Sequence, residues 1–191
     1  MSFTNVMKRS FTRLTAGQST LLRNTNVTPR LVLSVRCQST TAGFKNSLNK
    51  SELPFTYSSE GPQQVKYTKD HEWVAVHADG TGFLGITDYA AAALGDTTYV
   101  ELPDTDLTVE AEESIGSVES VKSASEVYMP VDGTITEVNT TLEDSPQLIN
   151  SDPLGKGWMI KFKLDDAKGQ QQVDTLFNLE QYEEFLKTDE H

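Results

Sequence analysis

The sequence predicts a mainly β domain, a compact β sandwich or flattened barrel with short helices and a C-terminal helix. Short runs rich in β-branched and aromatic residues recur from Val65 onward. Glycine, proline and aspartate separate them at close spacing, as in sandwiches and barrels rather than βαβ units. Near the C-terminus the apolar residues change to a helical period.

Each element follows from local chemistry. Val65–Val76, VKYTKDHEWVAV, reads as a strand or hairpin, and Gly82–Thr87, GFLGIT, as another strand. Asp88 is placed to cap a short helix over Tyr89–Leu94 that Gly95 ends. Strand character resumes over Thr98–Leu102, with Pro103 and Asp104 marking a turn. Further strands are expected around Ile115–Val121, Glu126–Met129 and Thr134–Val138. In Gly157–Leu164, Trp158, Ile160, Phe162 and Leu164 alternate with Lys161 and Lys163, giving a strand with one apolar face. Leu179, Tyr182, Phe185 and Leu186 form the stripe of an amphipathic helix.

Charge divides the chain. All eight basic residues before position 51 lie in a stretch without Asp or Glu, rich in Ser and Thr. That composition is expected of a mitochondrial transit peptide over residues 1–47, cut at about 36–50. Its apolar runs, such as Leu31-Val32-Leu33, are too short for a membrane span, so no membrane insertion is expected. With no sustained apolar period, residues 1–50 are expected to be dispensable for folding. A lead-in over 48–64, a folded domain over 65–187 and a tail over 188–191 complete the division. After Lys50 there are 8 basic and 28 acidic side chains, a net charge of −20. Such acidity argues against nucleic acid, whose phosphates need clustered Lys and Arg, and favours partners with basic docking surfaces. The only cysteine, Cys37, sits in or beside the leader, so the domain has neither disulfide nor thiolate nucleophile. Three scattered histidines suggest no metal site.

Gly80-Thr81-Gly82-Phe83-Leu84-Gly85 matches G-x-G-x-x-G, yet that fingerprint should open a helix after a strand. Phe83 and Ile86 continue into β-like sequence instead, and Asp79-Gly80 reads as a hairpin turn. The glycines are expected to serve backbone geometry.

Lys122 is the only lysine between Lys69 and Lys156, and it lies where two strand-like runs meet. Pairing of those runs puts it near a hairpin tip. Schiff-base catalysis would require desolvation or a neighbouring cation. Glu119 and Glu126 are near in sequence instead, and both favour the charged amine. Acylation by a modifying enzyme needs only an accessible lysine on a fixed turn, and Ser120, Ser123 and Ser125 leave room around it. An ordinary solvated lysine fits the same local sequence.

The wider pattern separates these readings. His71-Glu72-Trp73-Val74, Gly85-Ile86-Thr87-Asp88-Tyr89-Ala90, Tyr99-Val100-Glu101-Leu102-Pro103 and Val118-Glu119-Ser120-Val121-Lys122-Ser123-Ala124-Ser125 occur in order. Met129-Pro130-Val131-Asp132-Gly133, Leu148-Ile149-Asn150 and Gly157-Trp158-Met159-Ile160-Lys161 follow. From about Val65 to Leu186 the chain closely resembles the H-protein family of the glycine cleavage system. The resemblance implies a lipoyl-domain-like barrel-sandwich hybrid over 65–187 and a non-catalytic carrier, with lipoate attached as N6-lipoyllysine at Lys122. It implies that the arm takes the aminomethyl group of glycine from the pyridoxal-phosphate-dependent glycine decarboxylase (P protein). The tetrahydrofolate-dependent aminomethyltransferase (T protein) receives it, and dihydrolipoamide dehydrogenase (L protein) reoxidises the arm. Lipoyl- or octanoyl-attaching enzymes and a mitochondrial-matrix location complete the implied setting. A related role, relaying lipoyl or octanoyl groups to 2-oxoacid dehydrogenase subunits, would use the same lysine.

By resemblance Asp70 and Glu72 border the cleft that shelters the loaded arm, with Glu126 near its base. A carboxylate there can hold the cationic amine by a charge-assisted bond. Glu72 also reads as a solvated neighbour of Trp73, and Glu126 as a recognition residue for the attaching enzyme. Asp104–Leu107 lacks a glycine often seen in this turn, and Tyr128 stands where smaller or polar residues also occur.

Overall fold

Period-two alternation within residues 72–86 gives one hairpin two apolar faces, and each face is covered by a different core. The computed structural model of the protein describes residues 43–189. The basic leader up to residue 42, Cys37 included, and residues 190 and 191 of the tail lie outside the described residues.

Strand β1 (Gln64–Tyr67) pairs with β2 (Glu72–Val76), and β2 with β3 (Thr81–Ile86), both antiparallel. Val74, Val76, Leu84 and Ile86 point into the first core; Trp73, Ala75 and Phe83 point into the second. Helix α2 (Asp88–Leu94) and β4 (Thr97–Glu101) follow, then the short β5 (Thr108–Val109). Strands β6 (Ser114–Ser120) and β7 (Ala124–Tyr128) form the next hairpin, followed by β8 (Gly133–Val138) and β9 (Ile160–Leu164). One sheet has the order β1-β2-β3-β9-β8-β5 and the other β4-β6-β7. Val100, Val118 and Val127 of the smaller sheet share the first core with Ile135, Ile160 and Phe162 of the larger, so the sheets face each other across it. The outer face of β1-β2-β3 is covered by Tyr182 and Leu186 of α6 (Leu179–Asp189), by Leu154 and Trp158, and by Leu48. The fold is therefore mixed β/α with dominant sheet content and C-terminal helices.

The G-x-G-x-x-G run opens no helix. Gly80 takes φ +77° in the β2–β3 turn, while Gly82 and Gly85 lie within β3 beneath the rings of Phe162 and Trp73.

Three local expectations are corrected, and one helix is found that the sequence did not announce. Thr87, not Asp88, caps α2: its backbone is extended and its hydroxyl accepts the Ala90 N–H at 3.3 Å. Asp88 is the first helical residue, and its carboxylate accepts the Lys45 N–H at 2.8 Å. Strand β9 begins at Ile160 rather than Gly157, because Trp158 turns into the second core against Phe83, whose ring lies 5.6 Å away edge-on. Helix α5 (Asp166–Thr175) has no apolar stripe to announce it; Val173 is buried, and polar contacts do the rest. Its Gln172 and Lys168 side chains both bind the Asp132 carboxylate. Those contacts and the Ala111 N–H hold that carboxyl down at about 2.

The third correction concerns the N-terminal side. Asn46 and Leu48 are buried, and α1 (Leu53–Thr56) contributes the buried Pro54. Residues up to 50 were expected to leave the fold unchanged, yet several belong to its packing. The apolar signal was missed because Leu48 is a lone core contact without a period.

Candidate functional site

The β6–β7 hairpin is built to hold its tip still. Val118 and Val127 anchor its inner face in the first core, and beyond a bulge between Ser114 and Gly116 the ladder runs in register to the pair Glu119–Ala124. Beyond it Val121 and Lys122 are the two exposed central residues of the turn. The Ser120 N–H donates to the Ser123 carbonyl at 2.8 Å. The Ser120 hydroxyl accepts the N–H of Lys122 at 3.3 Å and of Ser123 at 3.1 Å, and donates to the Ser123 carbonyl at 3.0 Å. One small polar side chain thus satisfies backbone groups that a two-residue loop leaves open. Val121 is 81% exposed, so nothing apolar pulls the tip inward.

The Lys122 side chain lies over Gly95, at the C-terminal end of α2. A Cβ on Gly95 would come 2.6 Å from Lys122 Cε, which the flexible lysine could relieve by moving, but the residue takes φ +82°, a conformation that disfavours an L side chain. Asn150 fixes this floor: its amide donates to the Gly95 carbonyl at 2.8 Å, and its Oδ1 accepts the Thr97 N–H at 2.9 Å.

Beside the hairpin is a cleft of about 380 Å³. Its apolar wall includes Ile86, Tyr89, Ala90, Leu94 and Val118; Ser123 and Ser125 bring it to the foot of the turn. Asp70, Glu72 and Glu126 all line it. The three carboxylates singled out from sequence, separated by as many as 56 positions, therefore share one cleft beside Lys122.

Their environments differ. Asp70 and Glu126 are exposed. Glu72 is buried, and burial pushes its carboxyl up from the ordinary glutamate range. Hydrogen bonds from the Thr68 hydroxyl and the Tyr128 N–H, the latter at 3.2 Å, oppose that rise, while the Asp70 charge adds to it. The solvated alternative for Glu72 is corrected here: its carboxylate ties the β1–β2 turn to the free edge of β7. Tyr128 reaches the second carboxylate too, its hydroxyl donating to Glu126 Oε2 at 3.1 Å.

Sequence reasoning did not single out Ser120 as the turn brace, Gly95 as the bed of the lysine, or Thr68 and Asn150 as supports. The serine had a signal, a hydroxyl residue two positions before the central lysine of a turn. The contacts of Asn150 span more than fifty residues and had none.

A sequence model of the family described as Glycine cleavage H-protein matches residues 65–189. The chain belongs to the glycine cleavage H-protein family. It is 57% identical over 145 residues to the mitochondrial glycine cleavage system H protein of Saccharomyces cerevisiae, covering 76% of this chain and 85% of that one. Only 127 residues run from Val65 to the C-terminus, so at least 18 of those 145 precede Val65. The H protein of Staphylococcus carnosus is 50% identical over 125 residues, covering 65% of this chain and 96% of that one. A crystal structure of an H protein from Mycobacterium marinum matches with a TM-score of 0.57 at 37% identity, covering 67% of this chain and 98% of that one. H proteins are non-catalytic lipoyl carriers that shuttle the aminomethyl group of glycine in the glycine cleavage system, and this chain has that function.

Proposed function

We propose that Lys122 is the lipoylated residue, present as N6-lipoyllysine, and that Asp70, Glu72 and Glu126 receive the loaded arm. The observation that carries this reading is an exposed lysine on a braced hairpin tip beside a cleft that is apolar along its wall and acidic at its end. The lining fits such a group: Ile86, Leu94 and Val118 suit an aliphatic chain, and the carboxylates suit a cationic amine. When attached, the lipoyl group supplies the thiol chemistry that a domain without cysteine lacks.

The chain's own residues then have separable tasks. Ser120 keeps the turn in one geometry, so an attaching enzyme meets the amine in a fixed position. Glu72, held from both sides by Thr68 and Tyr128, offers a charge in a partly desolvated place, where an ion pair with the amine is stronger than in water. Tyr89 and the alanines of α2 keep water from one side of the cleft. A tethered arm raises the effective concentration of its cargo at each docked enzyme.

We assign the two facing sheets to the barrel-sandwich hybrid of lipoyl domains, with the carrier domain over 65–187. The partners proposed are the glycine decarboxylase, the aminomethyltransferase, the dihydrolipoamide dehydrogenase and a lipoyl- or octanoyl-attaching enzyme. The location proposed is the mitochondrial matrix, reached through the basic N-terminal leader.

Peptide mass spectrometry of protein from its own lipoate-replete cells should show an increment of about 188 Da on Lys122. A bare lysine in nearly all molecules refutes the assignment. Lys122→Arg keeps the charge but not the acylable amine, and its stability should change by less than about 0.5 kcal/mol. Transfer of labelled carbon from glycine in a reconstituted system should fall to background with that variant.

A further inference from the structure

The packing ahead of β1 bears on where the leader ends. Residues 44–61 run across the outer face of the β1-β2-β3 sheet and are fastened at every turn. The Tyr67 hydroxyl donates to the Asn46 carbonyl, and Tyr67 is 1% exposed, so this carbonyl is the partner of a buried phenol. Leu48 fills the second core beside Trp73 and Tyr182. The Asn49 N–H donates to the Leu154 carbonyl at 2.9 Å, and its side-chain amide to the Asp152 carboxylate at 3.1 Å. Farther along, the Pro54 carbonyl accepts from His77 Nε2 at 2.9 Å, and the Tyr57 hydroxyl donates to Asp79 at 3.1 Å.

At its start the segment reaches the cleft. The Phe44 ring stands edge-on to Tyr89, with centroids 5.4 Å apart at 79°, and the next residue's N–H binds Asp88 at the start of α2. Tyr89 in turn packs on His71 at 4.6 Å, and both line the cleft. Residues 44–61 lie outside the family match, which begins at residue 65, but the likeness to the mitochondrial relative extends into them.

We propose that residues 44–61 are a strap of the mature carrier: the leader is cut ahead of Phe44, and Phe44 is a positioning residue for the Tyr89 wall of the arm cleft. The physical reason is twofold. Cutting after Leu48 would remove a core side chain and leave the buried Tyr67 hydroxyl without its acceptor. Cutting between Phe44 and Leu48 would remove the Phe44 edge that now limits the Tyr89 ring. The part concerning the cleft rests on the arm-sheltering function proposed above; the part concerning the cut does not.

The cut is tested by N-terminal sequencing of the mature protein from mitochondria. The expected first residue lies between about 36 and 44. A mature chain that starts beyond Phe44, or an uncut chain, overturns this part. The positioning role is tested in the lipoylated mature carrier, loaded with the aminomethyl group from labelled glycine by the decarboxylase. Phe44→Ala should lose the label to solvent three- to tenfold faster than wild type, and Phe44→Tyr should restore the slow rate. Equal loss rates in wild type and Phe44→Ala overturn it, as does fast loss in both variants. Mass analysis of Lys122 on the same samples reports the arm separately, so a missing lipoyl group counts against the proposed function and leaves the result on the cut standing.

Discussion

Glu72 carries an electrostatic consequence that can be read from its surroundings. Burial favours the protonated form, so the folded protein keeps this proton to a higher pH than the unfolded chain does. Below the unfolded glutamate value, near ~4.3, both states are protonated and the group costs nothing. As pH rises from there through the raised folded value, the unfolded state ionises first and folding stability falls; the cost is fully present above the folded value. Glu72→Gln preserves the shape and an acceptor for the Tyr128 N–H while removing the charge. As pH rises from about 4 through the raised folded value, the wild type should lose stability relative to Glu72→Gln in urea melts. Parallel profiles would show that the carboxyl is not perturbed as its burial requires.

At the scale of the element, the hairpin combines a rigid shaft with a tip that contributes little to stability. Its shaft is pinned by Val118 and Val127, neither more than 1% exposed, whereas its tip depends on the hydroxyl of Ser120. Ser120→Ala removes one side chain that serves two N–H groups and one carbonyl. The loss should be about 1 kcal/mol or less, because exposed backbone groups re-solvate. Amide exchange at Lys122 and Ser123 should accelerate while that of Val118 and Val127 stays slow. An unchanged tip would show that the strands alone fix the turn. The neighbouring bend follows the same logic from a different residue. Asp106 takes φ +62° there, and aspartate is among the side chains that tolerate that region. Helix α5 shows the opposite case, an element whose position comes from Gln172 and Lys168 holding Asp132 rather than from an apolar face.

On the scale of the whole molecule, β2 and β3 are shared walls between two cores. Every residue of both strands is buried, which is why their sequence reads as nearly continuous apolar runs rather than alternation. Coupling through these strands should make the cores unfold together. Phe83, fully buried against Trp158 and Tyr57 on the outer side, tests this. Phe83→Ala should cost about 3–5 kcal/mol, a large share of the 5–15 kcal/mol typical of a domain. Tryptophan fluorescence and far-ultraviolet dichroism should still give coincident transitions, because the damaged core cannot melt away from strands the other core needs. Separate transitions would show the N-terminal and C-terminal cover to be a detachable layer.

The sequence by itself determined the strands with strong local signals, the family, and the position of Lys122 between two strand-like runs. Those features are local: apolar periodicity, turn residues and an ordered series of motifs survive in one dimension. It also named the three carboxylates, through resemblance rather than spacing. Their common cleft was likewise implied only by resemblance; tertiary structure alone decided that Glu72 is buried against Thr68 and the Tyr128 N–H, and that Lys122 rests on Gly95. It also decided that Asn46 and Leu48 belong to the fold. The reason is the same in each case: burial and hydrogen-bond partners are properties of surfaces brought together by folding, and no period within a segment records which distant surface will cover it.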